Sequence, residues 1–154
     1  MGILDRFSLA GKTAVVTGAG KGLGQGMALA LAEAGADVAI VELDMPSAEA
    51  SAADIRSVGR RALTIKADVT LPEEVEAMVG TVIQEWGRLD ILVNNAGYAQ
   101  PLSALEMPVQ DWDRLLAVDL KGVFLCSKAA APHMIRQGRG KIVNLGDIHG
   151  ERPL

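Results

Sequence analysis

Cysteine is nearly missing from this chain: the single thiol, Cys126, has no internal partner, so no disulfide can staple the fold. Cys126 lies within an apolar helical pattern and reads as a buried, inert thiol. Histidine is scarce too. His133 and His149 stand alone, without the Cys/His spacing that holds a metal, so no metal is expected. No Gly-x-Ser-x-Gly elbow supports nucleophilic catalysis. Aromatics are 3% of residues, which leaves the core to Val, Ile, Leu, Ala and Met. Neither charge sign dominates: 15 Lys and Arg are interleaved with 19 Asp and Glu, for a net charge of −4. That balance argues against nucleic acid or an anionic membrane as a partner. No apolar run approaches the ~20 residues that cross a bilayer. The start of the chain carries Asp5 and lacks a signal-peptide core, so a reducing, cytoplasmic setting is expected.

What is present is a strand–helix alternation over residues 1–154, read as one domain. Residues 12–17 form a β-branched run broken by 18–24. Leu23, Met27, Ala30, Leu31 and Ala34 then recur at helical spacing until Gly35. Residues 38–41 predict a second strand, 47–58 an Ala-rich helix stopped by Gly59, and 62–65 a third strand. Leu71-Pro72-Glu73-Glu74 reads as a helix start, with Pro early and acids in the first turn. Val75, Met78, Val79, Val82, Ile83 and Trp86 supply that helix's buried face. Residues 91–93 predict a fourth strand, and a loop runs to about Pro108. A long helix over 109–136 should kink or end early at Pro132, and 141–145 completes a fifth strand. Strands joined by helices of this length make right-handed crossovers, hence an α/β fold with a doubly wound parallel sheet.

The most informative segment is Thr17-Gly18-Ala19-Gly20-Lys21-Gly22-Leu23-Gly24, between the first strand and the first helix. A pyrophosphate needs backbone N–H groups and a helix N-terminus facing it with no side chain in the way. Gly18, Gly20, Lys21, Gly22, Leu23 and Gly24 are therefore candidate cofactor-binding residues. Glu42, 18 residues beyond Gly24, closes the second strand. A carboxylate there accepts hydrogen bonds from both ribose hydroxyls of NAD and repels the 2′-phosphate of NADP. It is otherwise a solvated strand-end acid. Lys21 pulls the other way, as a cation able to pair with a 2′-phosphate. Glu42 is the stronger determinant, so NAD is preferred, with NADP as the alternative.

Taken together, the 17–24 motif, Asp68-Val69 after the third strand, Asn94-Asn95-Ala96-Gly97 after the fourth and Gly140-Lys141-Ile142-Val143-Asn144 resemble the classical short-chain dehydrogenases/reductases. The resemblance covers essentially the whole chain. It implies a Rossmann-type three-layer sandwich lacking that family's last strands and helices. It places Asp68 and Val69 about the adenine ring, and has Asn95, Ala96 and Gly97 line the coenzyme and brace the central strand. On the residues alone, the Asn-Asn-Ala-Gly segment is equally a plain turn.

The resemblance also implies hydride transfer on a carbonyl/alcohol pair of a small-molecule substrate. In that family a Tyr exchanges the proton, a Lys four residues on assists it, a Ser orients the substrate and a helix Asn holds a relay water. Here Asp119 stands at the Asn position and Asp147 at the Ser position, and no Tyr-x-x-x-Lys occurs within 154 residues. The chain as written is therefore expected not to turn over substrate. Tyr98 lacks a Lys at the required spacing, which leaves loop packing or a coenzyme-side contact. Asp119 shares a predicted helical face with Trp112, Leu115, Leu116 and Val123. It is either a site residue or a helix acid reaching Lys121 or Lys128.

Asp147, with Pro153-Leu154 downstream, resembles the pteridine reductases of this family, making a pterin-like heterocycle the alternative substrate class. It is otherwise a loop acid with no role. His133 is expected to pack or cap; His149 follows Asp147 in the loop, where reaching the substrate is the lesser of its readings. Two functions stay open: an oxidoreductase seen in its N-terminal part, or a non-catalytic NAD-binding module. The long helix resembles one that pairs between subunits, so a homo-oligomer is expected if the protein continues past Leu154.

Overall fold

Strands that are apolar at successive positions can be buried only if both faces of their sheet are covered. The structure, a computed structural model describing residues 2–99 and 102–146, has that arrangement. A short 3₁₀ turn (Leu4–Phe7) leads into β1 (Thr13–Thr17), α1 (Gly22–Glu33), β2 (Asp37–Glu42), α2 (Met45–Ser57), β3 (Ala62–Lys66) and α3 (Pro72–Trp86). There follow β4 (Ile91–Asn94), α4 (Val109–Leu116), a π-helical turn (Ala117–Gly122), α5 (Val123–Arg136) and β5 (Lys141–Asn144). All pairings are parallel, and the strands lie in the order β3-β2-β1-β4-β5. The order reverses at β1, so the crevice above the C-terminal ends of β1 and β4 is the topological switch point.

Side chains alternate between two cores. Ala14, Val16, Val38, Ile40 and Val93 pack with α1 and α2 on one face. Val15, Ala39, Val41 and Leu92 pack with α3 and α5 on the other. Each fully buried Val, Leu or Ile contributes about 1.5–3 kcal/mol. In α3 the expected face is the observed one: Val75, Met78, Val79 and Val82 are buried, with Ile83 and Trp86 packed against them. Pro72 opens that helix, and Gly87 ends it in the left-handed conformation at φ 73°.

Helix α1 departs from expectation. Its buried residues are Gly24, Ala28 and Ala32, whereas Leu23 is 79% exposed and Ala30 is also exposed. The smallest side chains face the sheet because only they let the helix axis come this close to β1. Met27 and Leu31 flank that seam.

The long helix differs in a second respect. Pro132 does not end it; α5 runs on to Arg136. The irregularity lies instead at Ala117–Gly122, where a π-helical turn joins α4 to α5. Such wide turns concentrate at functional sites. There the side chain of Asp119 is exposed, so it incurs none of the burial cost its predicted face implied.

Two carboxylates tie down the N-terminal ends of the inner strands, opposite the crevice. Asp90, 5% exposed, accepts from both Nε and Nη2 of Arg88 at 2.6 Å and from the Thr13 N–H at 3.0 Å. Asp37 is held the same way by Arg60 and Arg61. At one edge of the sheet, β5 is exposed along its length. Among the described residues, no helix is long and apolar enough to cross a membrane.

Candidate functional site

The glycine turn is shaped by contacts that a side chain would forbid. Gly18 adopts φ 64°, and an ideal Cβ there would lie 2.9 Å from the Ala96 Cα. A Cβ on Gly24 would lie 2.1 Å from the Gly18 carbonyl oxygen and 2.5 Å from Asn95 Nδ2. The first turn of α1 is thereby pressed against the end of β1 beside the crevice, with N–H groups that a helix leaves without partners.

A threonine and an asparagine lock this turn to the loop after β4. Thr17 Oγ1 accepts from the N–H groups of Asn95 and Ala96, both at 3.0 Å, and donates to the Val93 carbonyl at 3.4 Å. Asn95 Nδ2 in return donates to the carbonyls of Thr17 (2.9 Å) and Gly18 (3.0 Å). One layer further, Asn94 Nδ2 bridges to Ser127 Oγ and Asn144 Oδ1, joining β4, α5 and β5. Asn95 thus braces the turn as well as facing the crevice.

Glu42 closes β2 beside the same turn. Its Oε2 accepts from the Gly20 N–H at 3.1 Å and its Oε1 from the Leu43 N–H at 2.9 Å. Lys21, expected as a partner for a 2′-phosphate, is instead paired with Asp44 at 3.0 Å, which holds the ammonium above its ordinary pKa. The same hydrogen bond lowers the Asp44 carboxyl. Asp68 caps its own loop, accepting from the N–H and hydroxyl of Thr70, both at 2.8 Å.

Seven of the residues singled out from sequence, Gly18, Glu42, Asp68, Val69, Asn95, Ala96 and Gly97, line one cleft of about 380 Å³. Gly20 and Gly24 build the turn at its edge, while Lys21, Gly22 and Leu23 are exposed to solvent. The cleft also draws in Tyr98, for which loop packing or a coenzyme-side contact was the expectation, and Leu43, Arg114 and Val118, which did not stand out as site residues. Nothing local marks Arg114 and Val118, because they reach the cleft only when the helix after the β4 loop folds back over the crevice.

Asp119 reaches neither Lys121 nor Lys128. Its Oδ1 accepts from the Tyr98 N–H at 2.8 Å, while Lys121 donates to the Thr70 carbonyl and Lys128 lies over the Phe124 ring. The carboxylate therefore fastens the loop that forms the cleft wall. Asp147 and His149 lie outside the described residues. His133 pairs its ring with Arg136 near the end of α5. Burial and the Arg136 charge lower its pKa. Cys126 is buried, as expected. Among the described residues, no group of three or more His, Cys, Asp or Glu is placed to hold a metal.

The residues present fit a dinucleotide. Gly18 and Gly24 let the first turn of α1 seat against the end of β1 and the loop after β4, where a Cβ at either would collide with its neighbours, and a carboxylate stands one strand away. Comparison with known proteins agrees. The family model for short chain dehydrogenase matches residues 12–154. The 2-dehydro-3-deoxy-D-gluconate 5-dehydrogenase of Escherichia coli (strain K12) is 44% identical over 147 residues, covering 95% of this chain and 57% of that protein. A short-chain type dehydrogenase/reductase from Mycobacterium marinum superposes with TM-score 0.96 at 39% identity, over 100% of this chain and 63% of the other. A 7α-hydroxysteroid dehydrogenase complexed with NADH superposes with TM-score 0.94 at 32% identity, over 100% of this chain and 60% of the other. The chain thus spans a little over half the length of the relatives it matches. On the family match and on these likenesses, the chain belongs to the short-chain dehydrogenase family.

Proposed function

We propose that these residues hold NAD(H) for an oxidoreductase that interconverts a carbonyl and an alcohol on a small-molecule substrate. The observation that carries this reading is the glycine-tight seat of the α1 N-terminus against the end of β1, adjoining a cleft lined by Glu42, Asp68 and Val69. The pyrophosphate would lie on the amides of the turn and of α1. The adenosine ribose would face Glu42, whose carboxylate keeps acceptor capacity beyond its amide partners. The adenine would rest beside Asp68 and Val69, with Ala96 and Gly97 beneath the path of the chain. When bound, the nicotinamide donates or accepts hydride at the substrate carbon.

Glu42 and Asp44 put two carboxylates where a 2′-phosphate would sit, and Asp44 already engages Lys21. NAD is therefore favoured over NADP. The NADH in the complexed 7α-hydroxysteroid dehydrogenase supports this choice. Asp119, at the family's Asn position, contributes by holding the Tyr98 amide and so the wall of the cleft. A proton-donating Tyr with its Lys is not among these 154 residues, so binding rather than turnover is expected of them. Assembly through the outer face of α5 and the π-helical turn, where Leu120, Phe124 and Ile135 are exposed, belongs to the same reading.

Calorimetric titration with NADH and NADPH tests the proposal. NADH should bind more tightly, and Glu42→Ala should narrow the ratio about tenfold, the equivalent of ~1.4 kcal/mol. An unchanged ratio removes Glu42 from the argument, and no affinity for either nucleotide defeats the reading.

A further inference from the structure

Among the described residues lining the cleft, Arg114 is the one cation, set against the carboxylates of Glu42 and Asp68. Its guanidinium carbon lies 4.4 Å from the centroid of the Tyr98 ring, well inside the range of a cation–π contact. The Tyr98 backbone is itself fixed by Asp119. A long, exposed side chain is thus held against the Tyr98 ring in the wall of the cleft, and part of its ordering cost is already met before a ligand arrives.

The packing of the helix identifies which end of the cleft this is. Gly122 abuts Val69 so closely that an added Cβ would lie 2.8 Å from Val69 Cγ2. Val118, one turn after Arg114, lines the same wall. The helical segment that carries Arg114 and Val118 is thus anchored at the Asp68–Val69 end, with Arg114 two turns before that contact.

We infer that Arg114 is a coenzyme-binding residue whose guanidinium, backed by the Tyr98 ring, forms the outer lip of the adenine pocket and packs on the adenine plane. This rests on the dinucleotide reading above. A planar cation suits that task, since it contacts an aromatic face on either side and offsets the acidic lining as a diphosphate enters.

The test is calorimetry of the protein with NADH, NADPH and ADP-ribose, the last lacking nicotinamide. Arg114→Ala should weaken NADH and ADP-ribose by the same factor, about five- to tenfold, with melting unchanged. Arg114→Lys, which keeps the charge but loses the plane, should restore less than half of that loss on a logarithmic scale. Tyr98→Phe, which keeps the ring, should stay within about twofold of the parent. Unchanged affinity in Arg114→Ala overturns the inference while leaving the dinucleotide reading intact. So does a loss for NADH without a loss for ADP-ribose, which would move Arg114 to the nicotinamide end. A loss confined to NADPH would make it a phosphate partner instead. If the parent protein binds none of the three, both this inference and the reading beneath it fall.

Discussion

Replacing Gly24 with alanine places a methyl group 2.1 Å from the Gly18 carbonyl oxygen and 2.5 Å from Asn95 Nδ2. Ordinary contact begins near 3.4 Å, so the first turn of α1 must retreat from β1 by roughly an ångström, or the Asn95 brace must break. Overpacking of this kind costs about 1–3 kcal/mol, and alanine's better helix propensity returns about 1 kcal/mol of it. A net loss of up to about 2 kcal/mol should lower Tm by up to several degrees, at roughly 2–4 °C per kcal/mol for a domain of this size.

Two residues on, Gly26 is exposed with no atom within 4 Å of an added Cβ. Gly26→Ala should therefore gain up to about 1 kcal/mol. The same chemical change in the same helix thus takes opposite signs. NADH titration sharpens the contrast, because withdrawing the α1 amides should weaken binding at least about tenfold in Gly24→Ala and leave Gly26→Ala unaffected. If Gly24→Ala melts and binds like the parent, the close approach of α1 to β1 is not what shapes this site.

Other expectations concern stability and reactivity. Burial alone would raise the Asp90 carboxyl, but hydrogen bonds from Arg88 and the Thr13 N–H, with the Arg88 and Lys12 charges, hold it below the usual carboxylate range. A depressed folded-state pKa means stability that is present above the ordinary value of 3.8 and lost as pH falls through the lower one. Asp90→Asn should cost about 2–3 kcal/mol at neutral pH by stranding Arg88. Its deficit in urea melts should close under acid, and a pH-independent deficit would contradict this account. Burial pushes the Cys126 thiol up to about 11. An aromatic disulfide reagent at pH 8 should therefore leave the folded protein unlabelled and take one equivalent after denaturation, whereas rapid labelling of the native state would show that the thiol is accessible.

Much of the fold was legible because it follows from local repetition. Val75, Met78, Val79 and Val82 recur as large apolar residues on one helical face, and burial followed that face. The same rule misplaced α1. Size suggested Leu23 as a buried residue, but close approach to a strand demands Gly24, Ala28 and Ala32. The π-helical turn has no residue signature, so Asp119 came out on the wrong face. Lys21 read as a free cation because Asp44, 23 residues away, becomes its neighbour only once β2 lies beside β1.

By itself the sequence determined the order of strands and helices, the parallel sheet that such an order requires, and the glycine turn with an acid one strand away. These rest on periodicity and on backbone conformation, which neighbouring residues decide. Tertiary structure alone decided that Thr17 would clamp Asn95 and Ala96, 78 and 79 positions distant. It likewise brought Arg114 over Tyr98 and Asp119 onto the Tyr98 amide. Such contacts depend on which element crosses which in space, and the loops that permit the crossing carry no periodic pattern from which it can be read.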